Sequence, residues 1–276
     1  MAAPKIVLLT DFSNLSKVAM TYAIKMAAPV KGEFTILNIV RFDGVPKANL
    51  RMKQIEKSMI KINEEEGEKL MEELRKEIKG DYKIEFKAIR SHTVAEMVKR
   101  YTDKNKTNIV VMGSRGASAL KKARLGGTTV SVIDDCNVPV MAIPEFASYK
   151  NLQNIVYATD LKDTQKELDI ILEFAKIYGS AVHMIHVTPA MDKKVEASKV
   201  AVEAIIKKAN YDKLDFKLIL EDDIPKAIDS YIKTTKADLL TTFTHKLSLE
   251  EKLFAKSVTR TLAYLGTIPL LAIKRK

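Results

Sequence analysis

The sequence predicts two α/β domains in tandem, each a doubly wound parallel sheet. Short apolar runs alternate along the chain with segments whose apolar residues recur at helical spacing, which is the pattern of a parallel sheet covered by helices. The pattern then starts again: residues 154–160, NIVYATD, resemble residues 5–11, KIVLLTD. Residues 268–273, IPLLAI, resemble residues 138–143, VPVMAI, in the same way. Two copies of one α/β unit explain this repetition best.

The first copy supplies its elements in a regular order. Its first predicted helix has apolar residues at i, i+3, i+4 and i+7 from Leu15, and Pro29 and Gly32 end it. In the longest predicted helix Gly67 indicates a bend or break. The predicted strands are 5–10, 34–40, 82–89, 109–112 and 138–143, and the predicted helices are 15–26, 49–79, 94–101 and a short one that begins near 128.

The second copy repeats most of these elements. Its predicted strands are 154–160, 181–187, 216–220 and 268–273, and its predicted helices are 168–175 and 224–232. The expected domain boundaries are therefore 1–146 and 150–276.

Composition narrows the class of protein. No apolar run approaches the roughly 20 residues that a membrane-spanning helix needs, and the start of the chain lacks a signal-peptide pattern. Cys136 is the single cysteine and is expected to be a small core residue. The cytoplasm is the expected location, without a membrane partner. The net charge of +11 favours anions, but the basic residues are mixed with acids and tryptophan is absent, so no nucleic-acid partner is expected.

A glycine-bearing stretch lies between a predicted strand and a predicted helix. The apolar residues 109–112 lead into Gly113, Gly116 and Gly126, with basic residues between them. Glycines at such a junction let backbone N–H groups approach a ligand, and a helix N-terminus adds donors that suit phosphate. Gly126 is expected to need a positive φ, so that Gly126→Val should abolish ligand binding. Two ordinary surface turns beside a basic loop are the alternative.

The spacing Gly-x2-Gly-x9-Gly resembles the nucleotide-binding signature of the universal stress protein family. The resemblance covers nearly the whole chain, since tandem copies are common in that family. It implies the adenine nucleotide alpha hydrolase-like, Rossmann-like fold and a bound adenine nucleotide, ATP or another, with Mg²⁺ accompanying ATP. The family signature ends in Gly-Ser or Gly-Thr, whereas this sequence has Gly127 followed by Thr128. The hydroxyl group usually offered to phosphate is therefore missing, and Thr128 is the candidate substitute.

The resemblance also assigns nucleotide contacts in the first copy. Asp11 resembles the aspartate that contacts the adenosine portion, although a helix N-cap is a second role open to it. Ile39 matches an apolar residue near adenine, although a core role is equally consistent with isoleucine. The expected nucleotide-binding residues are Thr10, Asp11, Ile39, Met112, Gly113, Arg115, Gly116, Gly126, Gly127 and Thr128.

The second copy lacks the glycines. Counted back from the shared Pro-containing strand, the positions of Gly113, Gly116 and Gly126 hold Phe243, Lys246 and Lys256. These side chains would fill the space that a phosphate needs, so the second site is expected to be degenerate, with one nucleotide per chain. Asp160 is then expected to be only a helix cap.

Catalytic and metal-binding patterns are weak. His183 and His186 are three apart on a predicted strand and so point to opposite faces, and neither His92 nor His245 has a cysteine or acidic cluster nearby. Gly-x-Ser-x-Gly and the Gly-Lys-Ser/Thr phosphate loop do not occur. No catalytic residue and no protein metal site is expected.

Three functions remain open. A stress-response regulatory protein that binds an adenine nucleotide is preferred, because no residue near the glycines has an evident role in positioning water for hydrolysis. An ATP-hydrolysing enzyme on the same fold and a ligand-free scaffold are the alternatives. The two copies are expected to pair through their last strands as an intramolecular pseudo-dimer, and a homodimer is a further expectation.

Overall fold

The chain divides into two units, residues 1–149 and 150–276. The computed structural model describes residues 3–41, 50–115, 126–189, 195–244 and 268–275. Within these ranges no helix is long and apolar enough to span a membrane.

The first unit alternates strands and helices from its first strand to its last. Its elements are β1 (Lys5–Thr10), α1 (Asn14–Met26), β2 (Glu33–Arg41), α2 (Leu50–Glu77), β3 (Lys83–Ser91), α3 (Val94–Asn105), β4 (Ile109–Gly113), α4 (Gly127–Asp135) and β5 (Val140–Ile143), with a 3₁₀ turn at Ala28–Val30. The strands lie in the order β3-β2-β1-β4-β5, and all of the pairs are parallel. The predicted doubly wound α/β fold is confirmed.

The position of each strand in this sheet matches its sequence pattern. β1 lies between β2 and β4, and five of its six residues are buried. β3 lies at an edge, where its residues are half-buried or exposed. The order reverses at β1, because β2 follows on one side and β4 on the other. In open parallel sheets such a reversal leaves a crevice at the carboxyl ends of the strands, where ligands bind.

The second unit has the same strand order. Its elements are β6 (Asn154–Ala158), α5 (Thr164–Tyr178), β7 (Ala181–Thr188), α6 (Val195–Ala209), β8 (Leu214–Leu220), α7 (Ile224–Thr235), β9 (Leu239–Thr244) and β10 (Leu270–Lys274). The order is β8-β7-β6-β9-β10, again with parallel pairs. α6 and β9 were not assigned from the sequence.

The predicted break at Gly67 is wrong. α2 runs without interruption from Leu50 to Glu77. A Cβ atom at Gly67 would lie 2.3 Å from Cγ of the Phe86 ring on β3. Glycine is therefore required by close packing of the helix against the sheet, and the helix pays the propensity cost of about 1 kcal/mol.

Candidate functional site

A cavity of about 270 Å³ opens at the carboxyl ends of β1, β2 and β4. It lies where the strand order of the first unit reverses, which is the expected location of a ligand site in this class of fold. Its lining comprises Leu9, Thr10, Asp11, Ser16, Leu37, Asn38, Ile39, Arg41, Val94, Met112, Gly113, Arg115, Thr128 and Thr129.

Most of the residues expected to bind nucleotide surround this cavity. Those in its lining are Thr10, Asp11, Ile39, Met112, Gly113, Arg115 and Thr128. Gly126 and Gly127 lie beside it, as the N-cap and first residue of α4. Gly116 lies outside the described residues. Segments that are far apart in the sequence are thus brought to one space.

Asp11 lies in a tight turn between β1 and α1. Its Oδ1 accepts hydrogen bonds from the backbone N–H of Ser13 at 3.1 Å and from the Ser13 hydroxyl at 2.5 Å. Ser13, not Asp11, is the N-cap, since its hydroxyl accepts the Ser16 N–H. Phe12 has a left-handed φ of 59°, and its N–H donates to Thr10 Oγ1. The turn therefore holds Asp11 exposed at the cavity rather than at the helix end.

Asn38 supports this turn from the neighbouring strand. Its Nδ2 donates to the Thr10 carbonyl oxygen at 3.0 Å, and the side chain is 6% exposed. Its Oδ1 is a buried acceptor that finds no donor among the described residues. Buried acceptors of this kind are uncommon in folded proteins. Asn38 was not identified from the sequence, because only the pairing of β2 with β1 brings it to Thr10.

The end of β4 is tied to α4 by two hydrogen bonds and to β5 by a third. Thr129 Oγ1 donates to the Gly113 carbonyl oxygen at 3.1 Å, and Gly126 N–H donates to the Ser114 carbonyl oxygen at 2.9 Å. Ser114 N–H donates to the Ile143 carbonyl oxygen at 2.8 Å. A Cβ atom at Gly113 would lie 2.6 Å from Leu15 Cγ. Glycine at this position therefore allows α1 to pack against the end of β4.

The N-terminus of α4 faces the cavity through Thr128 and Thr129. Gly126 has φ −65° and ψ 149°, so the expected positive φ is wrong, and its N-cap conformation is open to other residues. Among the described residues no side chain caps this helix, and N–H groups of a first helical turn are donors that suit an anion. Gly127 is exposed, and a Cβ atom there would meet no atom of the described part of the chain within 4 Å.

The charged groups in the lining comprise one acid and two bases. Arg115 lies 3.3 Å from Glu145, which follows β5, and its side chain is 22% exposed. Arg41 is exposed at the end of β2. Together with Asp11, the two arginines give the described residues of the lining a net charge of +1. The cavity therefore favours an anionic ligand with a neutral polar portion.

Several residues of the lining were missed by sequence reasoning. The apolar ones are Leu9, Leu37 and Val94, and the polar ones are Ser16, Asn38, Arg41 and Thr129. Alternation along β2 could have identified two of them, because Leu37 and Arg41 lie on the same face of the strand as Ile39, which was predicted to bind nucleotide. Val94 gave none, because only the fold brings the start of α3 to this cavity.

A second cavity in the first unit, of about 390 Å³, lies over the amino-terminal halves of β1, β2 and β3. Four of the charged side chains in its lining already pair, Lys83 with Glu33 at 2.9 Å and Lys87 with Glu85 at 2.7 Å, while Lys5 Nζ donates to the Asn105 carbonyl oxygen at 3.5 Å. This cavity also lies away from the carboxyl ends of the strands, where ligands bind in this class of fold, so the smaller cavity is the better candidate. The described part of the chain contains no cluster of three potential metal-ligating side chains.

The second unit has a turn that corresponds to the Asp11 turn, but the side-chain contacts of its aspartate, Asp160, are different. Asp160 is not the predicted helix cap, because the N-cap of α5 is Asp163. Both carboxylate oxygens of Asp160 instead accept hydrogen bonds from the Arg275 guanidinium. Phe243, at the position of Gly113, is buried at the end of β9. Lys246 and Lys256 lie outside the described residues.

Comparison with known proteins identifies the family of this chain. Residues 3–144 match the model of the universal stress protein family. A universal stress protein of Methanocaldococcus jannaschii is 29% identical over 153 residues, 50% of this chain and 93% of the relative. A second from the same organism is 26% identical over 140 residues, covering 50% and 81%. The crystal structure of a universal stress protein from Archaeoglobus fulgidus shares the fold over 100% of both chains, with a TM-score of 0.71 and 18% identity. The chain therefore belongs to the universal stress protein family.

Proposed function

We propose that this universal stress protein binds one adenine nucleotide, with ATP the first candidate, in the cavity of its first unit. Its role is then a regulatory one in the stress response, in which occupancy changes the surface offered to a partner. The observation that carries the proposal is the meeting of Asp11, an apolar wall and the α4 N-terminus in one cavity. These three parts match the ribose, base and phosphate of a nucleotide.

The phosphate end is assigned to α4 and the stretch before it. N–H groups of the first helical turn and its partial positive charge attract an anion, each such contact contributing about 0.3–1 kcal/mol at an exposed site. Arg115 adds a full charge, and a phosphate would compete with Glu145 for it. Thr128 offers the hydroxyl group that Gly127 lacks. Mg²⁺ would accompany ATP through its phosphate oxygens.

The nucleoside end is assigned to β1 and β2. The Asp11 carboxylate can accept both ribose hydroxyl groups, and it is held by Ser13 in a fixed position. Ile39, Leu37 and Val94 give the base an apolar wall. The strands are about 4.8 Å apart, so the ends of β2 and β4 are separated by roughly 10 Å. That distance suits a nucleoside laid across the end of β1.

Binding is favoured over hydrolysis by the chemistry of the lining. Phosphoryl transfer to water requires a group that orients the attacking water. Asp11 is the acidic group in the described lining, and its assigned position is at the nucleoside end, away from the phosphates. ATP hydrolysis is the alternative function. It predicts steady release of phosphate that Asp11→Ala reduces.

The direct test is to denature the purified protein and identify any released nucleotide by chromatography. Release of ATP, ADP or AMP in near-equal amount to the protein supports the proposal. If nothing is released, titration of the protein with ATP decides between an empty site and a scaffold. Absence of binding by both measurements contradicts the proposal, and turnover of added ATP would favour the enzyme.

Location and assembly are extensions of the same proposal. We expect the protein in the cytoplasm, where adenine nucleotides are abundant. We also expect an intramolecular pseudo-dimer of the two units through β5 and β10, and a homodimer of chains at higher concentration. Light scattering of the purified chain across a concentration series tests the homodimer.

A further inference from the structure

Four side chains form a connected network in the second unit. The Arg275 guanidinium donates through Nη1 to Asp160 Oδ2 at 3.0 Å, through Nη2 to Asp160 Oδ1, and through Nε to Glu167 Oε1. The Tyr157 hydroxyl donates to the other oxygen of Glu167, Oε2. The arginine thus bridges two carboxylates, one of which is fixed from its far side by a tyrosine.

The network lies at the carboxyl ends of β6 and β9. Asp160 follows β6 and is the counterpart of Asp11. Arg275 follows β10, and its backbone N–H donates to the carbonyl oxygen of Thr244, the last residue of β9, at 2.8 Å. The main chain of Arg275 is therefore anchored beside the place that the cavity occupies in the first unit.

Apart from Asp11, the counterpart of Asp160, the first unit lacks the residues needed for this network. Leu8 stands at the position of Tyr157, and Glu145 stands at the position of Arg275. The helix α1, which corresponds to α5, contains no acidic residue. Several separate differences between the units thus meet at one cluster of contacts in the second, which indicates a built feature rather than a chance surface pair.

We propose that Arg275 is an internal ligand of the second unit, and that its guanidinium occupies the strand-end cleft in place of an external molecule. The cleft is then a guanidinium-binding site formed by Asp160, Glu167 and Tyr157. An external ligand that pairs with both carboxylate oxygens of Asp160 must displace Arg275. The proposal does not depend on nucleotide binding by the first unit.

Burial distinguishes this cluster from an ordinary surface ion pair. The side chains of Glu167 and Arg275 are 3% and 13% exposed. An ionised carboxylate buried to that degree is stable only with a counter-charge and satisfied oxygens. Arg275 provides the charge, and Tyr157 satisfies the second oxygen. A planar guanidinium suits this arrangement because three of its five N–H groups reach two carboxylates at once.

The ionisation of these groups agrees with the geometry. Burial opposes the charged form of Asp160, but hydrogen bonds from Arg275 and the Lys162 backbone N–H outweigh it and lower the pKa of the carboxyl group. Burial likewise acts against the charged Arg275, yet the bonds to Asp160 and Glu167 raise its pKa. Burial and the nearby Glu167 charge raise the pKa of Tyr157.

Chemical rescue of the full-length Arg275→Ala variant tests the proposal. The truncation leaves the buried Glu167 without its cation and leaves Asp160 with Lys162, whose Nζ lies 3.8 Å from Asp160 Oδ2. We expect the unfolding temperature of the variant to fall by about 5 °C or more. Millimolar methylguanidinium should restore part of that loss, while methylammonium, which lacks the planar fork, should restore less. Neither should stabilise the wild-type protein, whose site is filled. A variant as stable as wild type, or equal effects of the two cations, would overturn the proposal.

A second variant covers the case in which Arg275→Ala does not fold. Arg275→Met combined with Glu167→Met removes both of the most buried charges, and we expect this pair to fold and to exceed either single Met variant in unfolding temperature. Methylguanidinium should not stabilise the pair. The proposal is contradicted if the double variant is less stable than both single variants, because the Arg275 and Glu167 charges would then not compensate each other.

Discussion

The turns that follow β1 and β6 have the same backbone and different partners. Phe12 and Leu161 adopt left-handed φ angles of 59° and 62°. In each turn the N–H of that residue donates to the hydroxyl of the preceding threonine, Thr10 or Thr159, at 2.9 and 3.0 Å. The same threonine hydroxyl contact thus accompanies one backbone conformation in both units, which indicates that the fold needs this turn whether or not it holds a ligand.

The support from the neighbouring strand is also repeated with different chemistry. Asn38 Nδ2 donates to the Thr10 carbonyl oxygen at 3.0 Å, and His186 Nδ1 donates to the Thr159 carbonyl oxygen at 2.8 Å. What differs is the use of the aspartate. Asp11 lines a cavity, whereas Asp160 binds Arg275. One strand-end carboxylate lines a cavity, and the other is bound by an arginine of its own unit.

Glu167 is the residue whose change should have the largest effect. Glu167→Ala removes a buried carboxylate, frees Tyr157 of its acceptor and leaves Arg275 with one partner, at a cost of about 3–5 kcal/mol in the free energy of unfolding. Glu173→Ala, at an exposed site on the same helix, is the control and should change stability by less than about 0.5 kcal/mol. Denaturant titration measures both. Equal effects of the two substitutions would show that the network does not stabilise the second unit.

The two aspartates should respond in opposite ways. Asp11→Ala should weaken nucleotide affinity by about 1.5–3 kcal/mol, roughly 10- to 100-fold, because a charged acceptor is lost. Asp160→Ala should leave affinity unchanged and lower the stability of the second unit by about 1–2 kcal/mol, since Arg275 retains Glu167. Calorimetric titration and thermal unfolding of both variants separate the two effects. Weaker nucleotide binding by Asp160→Ala would contradict the assignment of the nucleotide to the first unit alone.

The comparison of the two units can also be tested at Gly113 and its counterpart, Phe243. Phe243 packs edge-to-face on Tyr157, with 5.9 Å between ring centroids. Gly113→Ala should destabilise the first unit by about 1–3 kcal/mol, because the new methyl group would lie 2.6 Å from Leu15 Cγ. Thermal unfolding checks this, with Gly127→Ala as the control in open space. Similar losses for the two substitutions would contradict the packing role assigned to Gly113.

Substitution of Gly127 should give the smallest effect, and the direction of the change in nucleotide affinity is informative. Gly127→Ser restores the hydroxyl group of the family signature at the exposed start of α4, and one added hydrogen bond to phosphate should raise affinity by about 1 kcal/mol, roughly fivefold. Gly127→Ala makes the same backbone change without the hydroxyl and should not raise affinity. If alanine raises affinity as much as serine, the gain comes from the backbone and the phosphate is not at this position.

The alternation of strands and helices was predictable because its signal is local. Apolar runs marked nearly every strand of the first unit, and the repeated Thr-Asp pair marked both turns. Gly67 and Gly126 were misread, because the sequence gives the identity of a glycine but not its reason. Gly67 is required by Phe86, and Gly126 needs no special φ.

The contacts that distinguish the two units could not be predicted in this way. Arg275 is 115 residues from Asp160 and 108 residues from Glu167. No spacing rule connects residues so far apart, and Asp160 looked like a helix cap because it precedes a helix. Val94 was missed for the same reason, since only the fold brings the start of α3 to the cavity.

The most direct test of the difference between the units is the number of nucleotides bound per chain. Calorimetric titration of the intact, nucleotide-free protein with ATP gives this number together with the affinity. We predict one equivalent, lost or strongly weakened in Asp11→Ala and retained in Asp160→Ala. Two equivalents would contradict this account, because Arg275 would then not close the second unit to nucleotide. One equivalent that persists in Asp11→Ala but disappears in Asp160→Ala would also contradict it, because the nucleotide would then bind in the second unit.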